Sequence, residues 1–144
     1  MITVQRIVKT LGGTRVLKRR TRSLEELLAQ LRTGLPYASV EALAAGFDIG
    51  KEDLVAALHL PPRTLARRKR EQRLRADESD RLFRLGRIAA LAEEVFGRRD
   101  KASRWLHRPN PALGDVIPLR HLDTDLGVRQ VEDLLLRIAH GVYS

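Results

Sequence analysis

The side chains best suited to bind a ligand lie in residues 63–74, RTLARRKREQRL, which hold six basic residues and one acid. An arginine guanidinium is planar and holds a guanine edge or a phosphate through two N–H groups at once. Two interpretations are open at this point. The run is either a surface that contacts nucleic acid or a charged helix face that contacts only water.

The residues before this run favour nucleic acid. Pro62 suits the first turn of a helix, where its missing N–H would have no partner in any case. A short helix with Leu54, Val55 and Leu58 on one face is predicted just before Pro61. Two short helices about three residues apart, the second basic from its start, are typical of a helix-turn-helix.

In that motif the first turns of the second helix meet the base edges of DNA. With Leu65 directed inward, the arginines around it are expected to project toward DNA. The predicted DNA-binding residues are Arg63, Thr64, Arg67, Arg68, Lys69 and Arg73.

The net charge of +9 is concentrated in the N-terminal half. Residues 1–75 carry 16 basic and 7 acidic side chains, whereas residues 113–144 carry 3 and 5. A basic half attracts polyanions by neutralising phosphates and releasing counterions. The weakly acidic C-terminal quarter requires another role.

The composition predicts an all-α fold. Aromatic residues make up only 4% of the chain, so the core must consist mainly of Leu, Ala, Val and Ile, which suits packed helices better than sheets. Residues 1–22 contain seven Lys/Arg and no acid, and are predicted to form a flexible or loosely docked basic arm. Ser23 and Glu26 are predicted to form a capping box for a helix that ends at Gly34. Ser39 is predicted to cap a short helix that ends at Gly46.

The second half of the chain begins with the most regular apolar stripe, from residue 76 to Gly97. A short helix through Trp105 follows, and then a loop in which Pro109 and Pro111 hold Asn110. Trp105 is either a core residue or part of a contact surface. A rigid loop loses little entropy on binding, which favours a contact role for the loop. The final helix has more apolar residues than one buried face requires.

Enzyme, metal and membrane classes are not indicated. The chain has no cysteine, its four histidines show no metal-ligand spacing, and no phosphate-binding loop or nucleophile motif is present. No catalytic residue, metal or cofactor is therefore predicted. No apolar run approaches the roughly 18 residues of a membrane span, and no signal peptide is evident. A cytoplasmic protein is expected.

A larger set of residues carries a family resemblance. Its N-terminal part rests on Gly34, Leu35, Pro36, Arg63, Thr64, Leu65, Arg67, Arg68, Lys69, Glu78, Ser79, Asp80, Arg81, Leu82, Arg84 and Leu85. Its more specific C-terminal part rests on Ala102, Trp105, Leu106, Pro109, Asn110, Leu113, Gly114, Pro118, Leu119, Thr124, Gly127, Val131, Leu135, Arg137, Ile138, Gly141 and Val142. With these residues the chain resembles the Xre/ParS/MbcA-type antitoxins of bacterial toxin-antitoxin pairs whose toxin carries a RES domain.

The resemblance implies that the C-terminal domain binds a RES-domain toxin and blocks the active site of this NAD-degrading enzyme. It also implies a homodimer within a larger toxin-antitoxin assembly, and repression of the operon through operator DNA. The implied toxin-binding residues are Trp105, Pro109, Asn110, Leu113, Gly114, Arg137, His140, Val142, Tyr143 and Ser144. The chain departs from common patterns at His59 and Pro61, where many helix-turn-helix proteins have Gly and Ser.

The sequence thus predicts a basic arm over residues 1–22, a helix-turn-helix DNA-binding domain over residues 23–75 and a toxin-binding domain over residues 76–144. An alternative of another class is a stand-alone helix-turn-helix transcriptional regulator whose C-terminal half only dimerises.

Overall fold

A computed structural model describes residues 2–17 and 23–141. Over these residues the chain forms nine α-helices and two 3₁₀ turns, with no β-strand. The all-α class predicted from the sequence is therefore confirmed. None of the helices in the described ranges has the length and apolar character needed to cross a bilayer.

The elements follow one another through short connections. They are α1 (Val4–Thr10), α2 (Gly13–Leu17), α3 (Leu24–Thr33), α4 (Tyr37–Phe47), α5 (Lys51–Leu58), α6 (Pro62–Glu71), α7 (Ala76–Phe96), α8 (Arg99–Leu106), a first 3₁₀ turn (Pro111–Leu113), a second 3₁₀ turn (Pro118–His121) and α9 (Asp125–Ala139).

Local capping signals set most helix ends. The Ser23 hydroxyl accepts a hydrogen bond from the backbone N–H of Glu26 at 3.2 Å, and α3 ends at Gly34. Pro62 occupies the first turn of α6, and α7 ends at Gly97, whose φ is 78°. The predictions for these helix ends are confirmed.

The prediction for α4 was wrong at both ends. The helix begins after Pro36, so Ser39 lies inside it and is fully buried rather than capping it. Gly46 is also internal, and the helix ends where Asp48 adopts a left-handed conformation with φ 55°. Aspartate is one of the few residues other than glycine that takes this conformation readily, so the helix does not need glycine to end.

The prediction of a flexible or loosely docked arm was wrong for residues 2–17. Helices α1 and α2 pack onto the rest of the protein, and Leu11 is fully buried. A Cβ atom on Gly86 of α7 would lie 3.0 Å from Leu11 Cδ2, so α1 and α7 come close at that position. The other buried apolar residues of this segment are Ile7, Val8 and Leu17. Residues 1 and 18–22 of the predicted arm lie outside the described residues.

Helix α7 is the centre of the molecule. It contacts α1, α3, α5, α8 and α9, and most of its side chains between Leu82 and Ala92 are buried. One hydrophobic core extends from Ile7 to Leu135. Both predicted halves of the chain therefore share the same core.

Polar contacts also join α8 to the end of α4. The Ser103 hydroxyl donates to the carbonyl oxygen of Phe47 at 2.8 Å. The two ring nitrogens of His107 lie 2.9 Å from the Asp48 carbonyl oxygen and 2.6 Å from that of Ser103. Carbonyl groups at a helix end have no partner within the helix, so α8 supplies partners for the end of α4.

Candidate nucleic-acid and partner interfaces

The connection between α5 and α6 has the geometry of a helix-turn-helix. His59, Leu60 and Pro61 join the two helices, and His59 takes a left-handed conformation with φ 55°. Leu60 and Leu65 are buried, which fixes the turn and the start of α6 against the core. The His59 ring contacts the carbonyl oxygen of Asp123, so the turn also touches the C-terminal half. His59 thus takes the conformation that glycine often supplies in such turns.

Three arginines form an exposed row on α6. Arg63, Arg67 and Arg70 are separated by four and three residues, which places them on one face of the helix, and all three are exposed. Lys69 is exposed beside them, and Thr64 is half-buried. Within the described ranges no carboxylate forms an ion pair with any of these four basic side chains. We call Arg63, Arg67 and Arg70 the basic row.

Arg70 was not among the predicted DNA-binding residues. The sequence does contain the signal, because position 70 follows Arg67 by three residues and Arg63 by seven. The structure adds that the side chain is exposed and has no ion pair with a described residue.

Arg68 does not project as predicted. The residue is 3% exposed and lies against the start of α7. Arg68 Nε donates to Glu78 Oε1 at 2.8 Å, and Arg68 Nη1 lies 3.1 Å from Glu71 Oε1. A buried arginine with two carboxylate partners cannot reach a DNA phosphate, so its predicted outward orientation is corrected. The physical reason is that Arg68 follows the buried Leu65 by three residues and shares its face.

The ion pair between Arg68 and Glu78 shifts the pKa of both side chains. The hydrogen bond to Glu78 raises the pKa of Arg68, although burial alone would lower it. Burial would raise the pKa of Glu78, but hydrogen bonds from Arg68 and from the Arg75 backbone N–H, with the two positive charges, bring it below its ordinary value. Both groups are therefore held in their charged forms.

Arg73 lies just beyond α6 and is exposed. Its Nη1 donates to the carbonyl oxygen of Gly34 at 2.5 Å, so part of the guanidinium is engaged with the α3–α4 connection. Arg73 is therefore exposed but has an intramolecular partner.

The predicted C-terminal contact loop is held by its own hydrogen bonds. Asn110 Oδ1 accepts from the Ala112 N–H at 2.9 Å, and the Asn110 carbonyl oxygen accepts from the Asp115 N–H at 2.9 Å. The Asn110 N–H donates to the carbonyl oxygen of Val116 at 3.1 Å. Pro109 and Gly114 are exposed, while Asn110 and Leu113 are half-buried. The loop is therefore shaped before any partner binds.

Trp105 has a packed side and an accessible side. Its ring packs against Phe96 with the centroids 5.6 Å apart and the planes tilted by 40°. Trp105 is half-buried, so one part of the ring stabilises the α7–α8 packing and another part remains accessible.

Helix α9 presents a second exposed surface. Arg137 and His140 are exposed, as are two residues that were not predicted as contacts, Leu126 at 69% and Leu136 at 39%. The sequence indicated exposed apolar residues in this helix, because the helix has more apolar residues than one buried face requires. The first 3₁₀ turn contacts α9, so the loop and this helix are neighbours. The predicted contacts Val142, Tyr143 and Ser144 lie outside the described residues.

Ion pairs connect α9 to α7. Arg84 Nη1 lies 3.4 Å from Asp125 Oδ1, and Arg87 pairs with Glu132. Burial, followed by the nearby charge of Arg84, lowers the pKa of Arg87. Arg84 and Arg87 therefore stabilise the packing of α9 on α7 and are not part of the basic row.

No group of three or more His, Asp or Glu side chains within the described ranges is arranged to hold a metal ion. The surfaces suited to recognition are the basic row, the loop around Asn110 and the outer face of α9.

Comparison with known proteins separates these surfaces into two domains. Residues 26–87 match the antitoxin Xre-like helix-turn-helix domain family. Residues 91–141 match the antitoxin Xre/MbcA/ParS C-terminal toxin-binding domain family. The first match contains the basic row, and the second contains the loop and α9.

Individual relatives agree with the domain matches. Antitoxin Xre of Photorhabdus laumondii is 37% identical over 120 residues, which cover 82% of this chain and 81% of the relative. Antitoxin Xre of Yersinia enterocolitica is 31% identical over 120 residues, which also cover 82% of this chain and 81% of the relative. Antitoxin Xre of Pseudomonas putida is 49% identical over 83 residues, 57% of this chain and about half of the relative, at 52%. The chain therefore belongs to the Xre/MbcA/ParS family of antitoxins, with a helix-turn-helix domain followed by a toxin-binding domain.

Proposed function

We propose that this antitoxin neutralises a RES-domain toxin that degrades NAD, by covering the active site of the toxin. We also propose that the chain, as a homodimer, binds operator DNA through α6 and represses its own operon. The observation that carries the proposal is the match of residues 91–141 to a toxin-binding domain, on a part of the chain that has an exposed, preformed contact surface.

The proposed toxin surface combines the loop and α9. At 100° per residue, Leu126, Asp133, Arg137 and His140 lie on one face of α9, with Leu136 at its edge. The two exposed leucines are ten positions apart, about 15 Å along the helix. Apolar anchors within a polar rim are the usual composition of a protein interface.

The rigid loop adds to this surface. Because its backbone hydrogen bonds are already formed, Pro109, Asn110 and Gly114 would lose little conformational entropy on binding the toxin. The accessible part of Trp105 would add apolar contact area. Residues 142–144 follow Gly141, which comes after the C-cap of α9, and we propose that they approach the NAD-binding cleft of the toxin.

The DNA part of the proposal rests on the basic row. Arg63, Arg67 and Arg70 are exposed and have no ion pair among the described residues, so their charges are available to phosphates or guanine edges. A homodimer would present two α6 helices to two half-sites of an operator. The high positive charge of residues 1–75 supports the same role.

Co-expression with the protein encoded beside this gene, which the proposal requires to carry a RES domain, tests the toxin claim. Cells expressing that neighbour alone should stop growing and lose NAD, and co-expression of the full chain should restore both. A chain that lacks residues 139–144 should restore less NAD than the full chain if the C-terminus blocks the cleft. An Arg67→Ala variant is the matched control, because it alters the basic row and should restore NAD fully.

Two results would contradict the proposal. Full protection by the truncated chain would remove the role of the C-terminus. Failure of the full chain to protect cells from the neighbour would refute the RES-toxin claim and favour the stand-alone regulator.

A further inference from the structure

One arginine of α6 is not available to any ligand. Arg68 lies between Arg67 and Lys69 in α6. Both neighbours are exposed, whereas Arg68 itself is 3% exposed. Burying a guanidinium is costly unless it is paired and hydrogen-bonded. The function of Arg68 must therefore be sought in the contacts that it makes inside the protein.

Those contacts tie α6 to the first turn of α7. Glu78 Oε1 accepts from Arg68 Nε at 2.8 Å and from the Arg75 backbone N–H at 2.8 Å. Glu78 itself is 3% exposed. One carboxylate oxygen thus binds the middle of α6 and the residue that precedes α7.

The residue after Glu78 holds a second segment. The Ser79 hydroxyl accepts from the Leu35 N–H at 2.7 Å, and the Leu35 carbonyl oxygen accepts from the Leu74 N–H at 2.9 Å. Ser79 and Leu35 are both fully buried. The start of α7 therefore fixes α6 through Glu78, and it fixes the chain leaving α6 through Ser79 and Leu35.

We propose that Arg68 is a positioning residue for DNA recognition, whose buried pair with Glu78 sets the rotation of α6 and thereby the directions of the basic row. This inference rests on the proposed DNA-binding function. Each residue turns a helix by 100°, so fixing Arg68 also fixes the directions of Arg67 and Arg70. Hydrogen bonds to base edges need close geometry, whereas phosphate attraction tolerates small displacements. Loss of the pair should therefore reduce sequence preference more than general attraction to DNA.

The test measures binding of the full chain to two duplexes by fluorescence anisotropy at several salt concentrations. One duplex is the DNA immediately upstream of the gene, and the other is a scrambled duplex of the same composition. Arg68→Met and Glu78→Met each break the pair. The double variant Arg68→Met with Glu78→Met leaves no unpaired buried charge and should remain folded, since replacing a whole buried pair by apolar residues is often neutral. Arg67→Met is the exposed control, and circular dichroism verifies folding.

We expect Arg68→Met, Glu78→Met and the double variant to reduce the ratio of upstream to scrambled affinity about tenfold, without changing the salt slope. Arg67→Met should lower the salt slope by about one, as expected for a residue that neutralises a phosphate. The Glu78 result is informative because removing an acid would, by charge alone, strengthen DNA binding.

Two outcomes would overturn the positioning role while the wild type still prefers the upstream duplex. If Arg68→Met lowers the salt slope as Arg67→Met does, Arg68 contacts a phosphate. If the folded variants, including the double variant, keep the wild-type ratio, the pair only stabilises the fold. A wild type without any preference would instead refute the proposed DNA function, and the positioning role with it.

Discussion

At the scale of single residues, α6 shows that neighbouring arginines can have opposite roles. Arg67 and Arg68 are adjacent, but a helix turns by 100° between them, so one is exposed and the other is buried. Composition alone does not separate them. The spacing from Leu65 distinguishes the two arginines in part, because Arg68 shares the buried face of α6. The partner of Arg68, Glu78, lies on another helix and is known only from the structure.

The buried pair predicts how stability depends on pH. The pKa of Glu78 is lowered in the folded state, so its contribution is present above the unfolded pKa of about 4.3 and is lost as pH falls through the folded value. Glu78→Gln should therefore lower the free energy of unfolding by about 2 kcal/mol at neutral pH. The difference between wild type and variant should shrink as the pH falls below about 4. Urea titrations at several pH values measure this difference.

Glu41→Gln provides the control for that prediction. Glu41 is an exposed carboxylate in α4, and its replacement should change the free energy of unfolding by less than about 0.5 kcal/mol. A Glu78→Gln difference that stays constant from neutral to acid pH would show that the carboxylate charge does not stabilise the fold.

At the scale of elements, local signals made several helix ends predictable. These signals act through their own backbone or the adjacent turn, so their roles can be predicted from the sequence. They are Ser23, Gly34, Pro62 and Gly97. The prediction for residues 2–17 was wrong although local helix signals are present there, namely the Thr3 cap and the helical spacing of the buried Ile7 and Leu11. The packing of Leu11 near Gly86 is known only from the structure. At the candidate sites, the loop around Asn110 was predictable from its prolines, whereas the exposure of Leu126 and Leu136 required the packing of α9.

The connection from α3 to α4 gives a prediction at this scale. Gly34 has φ 98°, and a Cβ there would lie 2.1 Å from the carbonyl oxygen of Leu74. Gly34→Ala therefore combines a strained conformation with a backbone clash, and should lower the free energy of unfolding by at least about 2 kcal/mol. Thermal or urea unfolding measures the loss.

Gly97→Ala separates the two causes. Gly97 also has a positive φ, 78°, but nothing lies within 4 Å of its Cβ position. This variant should lose only about 1 kcal/mol, the cost of the left-handed conformation. Equal losses in the two variants would mean that the Leu74 backbone moves aside and that the clash contributes nothing.

At the scale of the whole molecule, the two domain families meet inside one helix. Their matches end at residue 87 and begin at residue 91, and both positions lie within α7. The division predicted at residues 75 and 76 stays a prediction. Because α7 contributes to the packing of both halves, neither composition nor charge marks a boundary along it. The recognition surfaces are nevertheless separate in sequence, with the basic row before α7 and the proposed toxin surface after it.

This separation predicts that the two proposed activities can be removed independently. Leu126→Asp combined with Leu136→Asp should weaken toxin binding at least tenfold, because both side chains are exposed anchors on the outer face of α9. Operator affinity and the melting temperature should stay near those of the wild type, since neither leucine is part of the core. Calorimetry with purified toxin and anisotropy with operator DNA measure the two activities.

Leu24→Asp combined with Leu28→Asp is the matched control. These leucines are also exposed, at 66% and 44%, but they lie on α3, before the toxin-binding domain. Their replacement should leave toxin affinity unchanged, which would show that the loss in the α9 variant reflects position and not merely a less apolar surface. Equal loss of toxin binding in both double variants would mean that the loss does not depend on position, and would contradict a specific toxin contact on α9.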